Sequence, residues 1–329
     1  MKNLFDYATK ELSQDAFLRW LFENYNCEDK DVCLQAKKLI GSFLGIDNLE
    51  VEEISELKTY SQWRKVDILL RFKYGDKLFC IAIEDKTYTE EHEQLENYNK
   101  SLEEYVNWLK KEYSNSNIVI KKVFYKTAKL SSNEIQRVEG NGWEVFDIDK
   151  IYLLFSTNYN IENDILNDYI KHIQEIFSAC HTIEKPNKNE SSIDFIKWES
   201  YFNNLIVPHL NRNGYQVDVW KAGQYPYICL VIKKLGFLEK SPYLEIRSRD
   251  CLEDNFVARI LLYGVEREAE KFSILKENIE SYTSFICQNY KQQIGETPKG
   301  LKATTDEEFI TLVEKFTKEF LIVMKDWSL

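Results

Sequence analysis

The order of hydrophobic patterns along this chain of 329 residues predicts an α/β protein built in two parts. Three observations carry that prediction. The pattern runs helix, helix, strand, strand, helix, strand, strand, helix over roughly the first 180 residues, which implies a mixed sheet flanked by helices. Residues 78–83 are almost wholly apolar, as expected of a strand buried on both faces. The stretch 182–192 (TIEKPNKNESS) is polar and contains Pro186, and complete hydrophobic patterns restart after it. The expected division is therefore 1–182 for a first domain and 193–329 for a second, α+β domain.

Each element has a local reason. Ser13 can cap a helix over 13–25 that carries Phe17, Leu18, Trp20, Leu21 and Phe22 on its apolar side. A second amphipathic helix, 31–44, presents Val32, Ala36, Leu39, Ile40 and Phe43, and Gly45 is its expected stop. The period then changes. Val66, Ile68, Leu69, Leu70 and Phe72 make a strand, Tyr74-Gly75-Asp76 a turn, and 78–83 the returning strand. A long helix is expected over 90–111, strands over 118–125 and 143–148, and a helix over 161–179. Gly140-Asn141-Gly142 reads as a hairpin turn. In the second part, a helix is expected over 193–212. Strands at 215–221, 227–233, 243–249 and 256–263 follow, then helices at 266–291 and 305–325.

Composition narrows the classes of function. A net charge of −11 argues against nucleic-acid binding through bulk positive charge, but leaves room for an enzyme with a locally basic groove and a carboxylate cluster. Seven cysteines without a CxxC pair argue for reduced thiols rather than a disulfide framework or a structural zinc site. The four histidines (His92, His172, His181, His209) include no i, i+4 pair, which removes a helical two-histidine zinc site. No apolar run approaches the roughly 18 residues a membrane span needs. The N-terminus lacks the apolar core of a secretory signal, so a cytoplasmic location is expected.

Chemistry concentrates in three short stretches, met in chain order. Asp67 interrupts the apolar strand, Glu84-Asp85-Lys86 ends the next, and Gln94 and Tyr98 lie four apart in the following helix. Glu84 and Lys86 are i and i+2 in a strand, so they share a face about 7 Å apart. Asp67 and Glu84 are symmetric about the turn at 74–76, so a hairpin there makes them cross-strand neighbours at ~5 Å. Two carboxylates that close repel unless a hard cation joins them, and oxygen ligands of this kind suit Mg²⁺ or Mn²⁺. A lysine on the same face can hold a water or offset charge building on a phosphate. A lone Glu-x-Lys is ordinarily a solvated strand end, whereas a charged residue inside an apolar strand is costly without a partner. Order and register together favour a site.

This constellation resembles the PD-(D/E)XK nuclease superfamily, whose core is an Asp followed by (Asp or Glu)-x-Lys on the next strand. Gln94-x-x-x-Tyr98 is similar to the QxxxY motif of RecB-type members, and Glu11 ahead of Phe17-Leu18-Arg19-Trp20-Leu21 is similar to the N-terminal helix region of uncharacterised members. Val66 stands where the family often has proline. The resemblance covers roughly 3–180 and implies a restriction-endonuclease-like sheet. It also implies a metal-dependent nuclease, with DNA as the expected substrate and Mg²⁺ (Mn²⁺ as substitute) as cofactor. Carried over, Asp67 and Glu84 would be core metal ligands, Glu11 an extra acidic ligand and Lys86 the catalytic lysine. Gln94 and Tyr98 would be active-site supports. The competing expectation is a catalytically silent nucleic-acid-binding or assembly protein that keeps the fold.

Basic residues are the remaining candidates. Lys121 and Lys122, in a strip with Lys126, Lys129, Phe124 and Tyr125, are substrate-binding candidates, although strand-edge lysines are equally ordinary. His92, just before Gln94, reads as a solvated residue at a helix start. In the second domain Tyr243-Leu244-Glu245-Ile246-Arg247 repeats a strand ending in Glu-x-basic, without a counterpart of Asp67. Arg247, Arg249, Lys233 and Lys234 could grip phosphate there, so that domain is assigned substrate binding or dimerisation, with homo-oligomerisation left open.

Overall fold

The computed structural model describes residues 5, 11–46, 49, 54–87, 94–113, 117–156, 161–211, 215–221, 228–234, 242–262, 269–288 and 293–324. The chain forms two compact units, Met1–Phe177 and Ser178–Leu329. Both layer helices on a sheet. The first holds a five-stranded mixed sheet in the order β1-β2-β3-β4-β5, and the second a six-stranded antiparallel sheet.

The first unit opens with helices α1 (Glu11–Glu23) and α2 (Lys30–Leu44). Asp29 caps α2 by accepting from the Asp31 and Val32 amides, and Gly45 ends it with φ +73°. The chain then enters an edge strand, β1 (Ile54–Trp63), that hydrophobic alternation does not reveal because only Ile54 of its ten residues is buried. A meander follows through β2 (Val66–Tyr74) and β3 (Lys77–Lys86). Helix α3 (Leu95–Glu112) crosses to β4 (Asn117–Lys126), which pairs parallel with β3 along its whole length. Residues 78–86 are all buried, as expected of a central strand covered by helices on both faces.

Two expectations fail in instructive ways. Gly140-Asn141-Gly142 is not a hairpin turn, because β5 (Glu144–Phe146) pairs parallel with β4. Parallel neighbours need a crossover, and helix α4 (Ser132–Gly140), capped by Ser131, supplies it. The strand expected over 143–148 is correspondingly short. Asp147 stops it by capping helix α5 (Ile148–Phe155). Helix α6 (Asp164–Cys180) completes the layer opposite α3. There Tyr169 stacks on Phe17 at 3.7 Å, and Phe43 meets Phe146 edge-on at 4.8 Å.

In the second unit α7 (Ser192–Tyr201) and α8 (Val207–Asn211) are joined by a π-helical stretch, Phe202–Ile206, so the single helix expected over 193–212 carries a bulge. Strands β6 (Tyr215–Lys221), β7 (Ile228–Lys234), β8 (Tyr243–Arg247) and β9 (Ala258–Leu261) pair in sequence. Helix α9 (Ala269–Tyr282), the short strands β10 (Ile286–Cys287) and β11 (Gln293–Glu296), and helix α10 (Asp306–Val323) follow. The segment expected to be a linker is docked onto this unit. Pro186 is buried, Lys185 donates to Asp306 and to the Ala303 carbonyl, and the Trp198 indole donates to the Lys188 carbonyl at 2.8 Å.

One close approach fixes how α2 leaves the core. The Ile46 amide donates to the Gly41 carbonyl, and a Cβ at Gly41 would stand 2.7 Å from the Ile46 carbonyl oxygen. Gly41→Ala should therefore destabilise the unit by about 1–3 kcal/mol through overpacking. A drop in melting temperature of roughly 2–4 °C per kcal/mol is the expected reading in a thermal scan.

Candidate active site

The site is set by strand register. In the β2–β3 pair Ile68 faces Ile83 and Leu69 faces Ala82, so the next position outward sets Asp67 opposite Glu84. Side chains alternate along a strand, which gives Asp67, Leu69, Ala82, Glu84 and Lys86 one common face. That face is the one α3 covers: Leu69 and Ala82 pack in a cluster with Leu95, Tyr98 and Leu102. β4 sets Phe124 beside Glu84 and Lys126 beside Lys86.

The carboxylates are held in a setting that opposes their charge. Glu84 is 1% exposed, and its carboxyl hydrogen-bonds with Lys86 and Asp67. Lys86 Nζ stands 2.8 Å from Glu84 Oε1, a buried ion pair. Burial first, and the neighbouring Asp67 charge second, push the Glu84 carboxyl up to about 8, against the opposing pull of Lys86. Asp67 is only half-buried, and its Oδ2 accepts from the Asp85 amide at 2.9 Å.

A second polar layer lies on the opposite face of β3. Asp85, between Glu84 and Lys86, points there and is fully buried. Gln14 of α1 donates to Asp85 Oδ1 and accepts from the Thr127 hydroxyl at 3.0 Å, while the Thr127 amide donates to the Lys86 carbonyl. Burial, then the charge and hydrogen bonding of Asp15, hold the Asp85 carboxyl well above the usual carboxylate range. Gln14, Asp15 and Asp85 thus brace the strand end from behind. Sequence reading passed over all three. Asp85 had a legible signal, as an acidic residue in a strand buried on both faces. Gln14 and Asp15 had none, since the helix N-terminus gives acidic residues an ordinary role.

The other expected residues fall as follows. Gln94 is exposed at the start of α3 and accepts from the Tyr98 hydroxyl at 3.2 Å, so the two form a linked pair on one helix face. Glu11 opens α1, but its side chain lies outside the described residues, as do His92 and the side chain of Lys234. Lys121 and Lys122 are adjacent in β4 and point to opposite faces. Lys122 is a structural tie, donating to Asn99 at 3.1 Å and to the Asn141 carbonyl at 3.2 Å. Lys126 is buried and bonded to both oxygens of Glu134, at 2.8 and 2.9 Å. The basic strip therefore does not form one surface. In the second unit Arg247 pairs with buried Glu245, and half-exposed Arg249 stands 4.0 Å from Asp250. Val231 faces Glu245, and β9 returns antiparallel to β8, so the Glu-x-basic echo is an ordinary hairpin.

Among the described residues no group of three or more His, Cys, Asp or Glu is arranged to hold a metal ion. Two carboxylates suffice for Mg²⁺, which keeps several waters and is completed by substrate phosphate. Asp67 and Glu84 fit that role by donor type, and the buried Glu84 carboxyl beside the Asp67 charge is the group a cation would neutralise. No family model, curated protein or solved structure matches this chain.

The raised Glu84 carboxyl has a definite pH consequence. Its stabilising contribution is complete below the ordinary value of 4.5 and is lost as pH rises through about 8. Metal-free protein should therefore lose thermal stability across that window, and Glu84→Gln should make the decline shallower, leaving the part due to Asp85. Denaturation midpoints against pH, with and without Mg²⁺, measure both slopes. The buried Lys126–Glu134 pair gives a separate expectation: Glu134→Ala strands a buried ammonium and should cost about 3–5 kcal/mol. Lys126→Met with Glu134→Leu should recover most of that in urea unfolding.

Proposed function

We propose that this chain is a metal-dependent phosphodiesterase acting on nucleic acid, with DNA as its substrate. The observation that carries the reading is Glu84, sealed from solvent beside Asp67 and ion-paired with Lys86 at one end of a central strand. One lysine offsets only part of the repulsion between two apposed carboxylates, and a divalent cation would neutralise the rest. The mixed sheet flanked by helices supports the same reading, in the restriction-endonuclease-like form that the PD-(D/E)XK resemblance implies. Fold alone would not carry it, since one fold hosts many functions.

The residues divide the work by position. Asp67 and Glu84 would hold Mg²⁺ or Mn²⁺, which would supply Lewis-acid polarisation of the scissile phosphate. Lys86, on the same strand face, would place its ammonium by the attacking water and the charge developing on the phosphate oxygens. The Asp85 amide fixes Asp67, and Gln14 with Thr127 holds the strand end still. Tyr98 and Gln94, tied to each other at the start of α3, border the same sheet face and orient the strand backbone.

The test is a cleavage assay on linear, circular and single-stranded DNA with Mg²⁺, Mn²⁺ or EDTA. Cleavage should require the divalent ion, and Lys86→Gln and Asp67→Asn should each reduce kcat by at least about 100-fold. The Lys86→Gln protein should remain folded by circular dichroism. Activity that survives EDTA, or wild-type turnover in Lys86→Gln, would refute the reading. Metal-independent binding without any cleavage would favour the silent nucleic-acid-binding alternative.

A further inference from the structure

The hairpin joining β1 to β2 is built from the wrong residues for its geometry. Trp63 pairs with Val66, which leaves a two-residue tip of Arg64 and Lys65. Their φ angles are +48° and +78°, so both central positions are left-handed, as a type I′ turn requires. Such turns favour Asn-Gly because other residues meet their own Cβ there. Gln62, just before the closing pair, is left-handed as well at +45°. A strained turn that persists with two long cations at its tip signals a role for those cations.

Location supplies the role. Val66 is followed directly by Asp67, so the tip projects from the end of the sheet that carries the carboxylates. Both tip residues are exposed. The Arg64 guanidinium lies 5.2 Å over the Trp63 ring and pairs with Glu104 of α3. That pair is exposed on both sides, and such surface pairs are worth little, so a phosphate can replace Glu104. Behind the tip runs an aromatic ladder. Trp63 packs 4.6 Å from Tyr105, Tyr105 stacks on Trp108 at 5.6 Å and 15°, and Trp108 is 48% exposed. Trp63 and Tyr105 belong to the α3-covered face, the same face as Asp67, Glu84 and Lys86.

Resting on the nuclease reading, we propose that Arg64, Lys65 and Trp108 form a binding surface for an unpaired nucleic-acid strand leading to the carboxylates. The two cations contact successive phosphates at the sheet end, and the open face of Trp108 stacks a base. Cations that track a backbone beside an exposed aromatic plane match single strands, whose bases present free π-faces, better than duplex. In a chain of net charge −11 the grip must be local, and the strained tip provides two positive charges beside the site.

The experiment replaces the tip by its comfortable counterpart, Arg64→Asn with Lys65→Gly, in the full chain. Binding is read by fluorescence anisotropy of labelled single-stranded and duplex oligonucleotides in EDTA, so that cleavage does not consume the probe. The variant is expected to melt at higher temperature, because the strain is relieved. It should bind single strands roughly tenfold more weakly, with a salt slope reduced by about 1.4, the value for two lost phosphate contacts. In the cleavage assay its KM should rise while kcat is kept. Trp108→Ala should weaken single-strand binding by about tenfold and leave duplex binding nearly unchanged. Unchanged affinity and salt slope in both variants would overturn the surface while leaving the Lys86→Gln result, and hence the nuclease reading, intact. A lowered melting temperature in the tip variant would overturn the strain argument. A parent chain that neither binds nor cleaves would overturn surface and nuclease reading together.

Discussion

The pairing of β2 with β3 fixes the chemistry of the first unit. Asp67 and Glu84 are opposite each other only in the register that also places Ile68 against Ile83 and Leu69 against Ala82. The two-residue turn closed by Tyr74 and Lys77 fixes that register, and the register brings the carboxylates together. The cost of that apposition falls on Glu84, whose burial and acidic neighbour push it toward the protonated form. Lys86, two residues on and on the same side, offsets part of it.

Support for the strand end comes from both faces. On one side α3 packs Leu95, Tyr98 and Leu102 against Leu69 and Ala82, and Tyr98 carries the hydrogen bond to Gln94. On the other, α1 delivers Gln14 to Asp85 and Thr127. The neighbouring strand adds a closed ion pair, Lys126 with Glu134, which consumes the nearest other lysine. Lys86 is thereby the cation of this strand end that lies beside the carboxylate pair, a distinction that composition alone could never make.

Strain and burial are concentrated at the same end of the sheet. The tip of the β1–β2 hairpin holds two left-handed, non-glycine residues, and the adjoining positions hold the carboxylate pair. Each feature costs stability, and the apolar layers on either side of β3 offset it. The second unit also holds two adjacent left-handed non-glycine residues, Glu253 and Asp254, but no buried carboxylate pair adjoins them among its described residues. Its buried charge, Glu245, is matched by Arg247 in the same strand.

The sequence by itself determined the central hairpin, because two apolar runs flank the Tyr74-Gly75-Asp76 turn and that turn sets the register. From that register followed the opposition of Asp67 and Glu84 and the shared face of Lys86. It also determined α2, whose clear helical period ends at the Gly45 stop, while the Asp29 cap was seen only in the structure. Edge strand β1 stayed hidden because an edge buries little and so leaves no hydrophobic signature. Helix α4 and the parallel placement of β5 stayed hidden because strand direction is decided by which edge a returning segment finds, not by its own pattern. Only the tertiary structure decided which basic and acidic residues were spoken for. Lys122 went to Asn99, Lys126 to Glu134 and Asp85 to Gln14, since side-chain partners far apart in the chain are chosen by packing and leave no trace in local spacing.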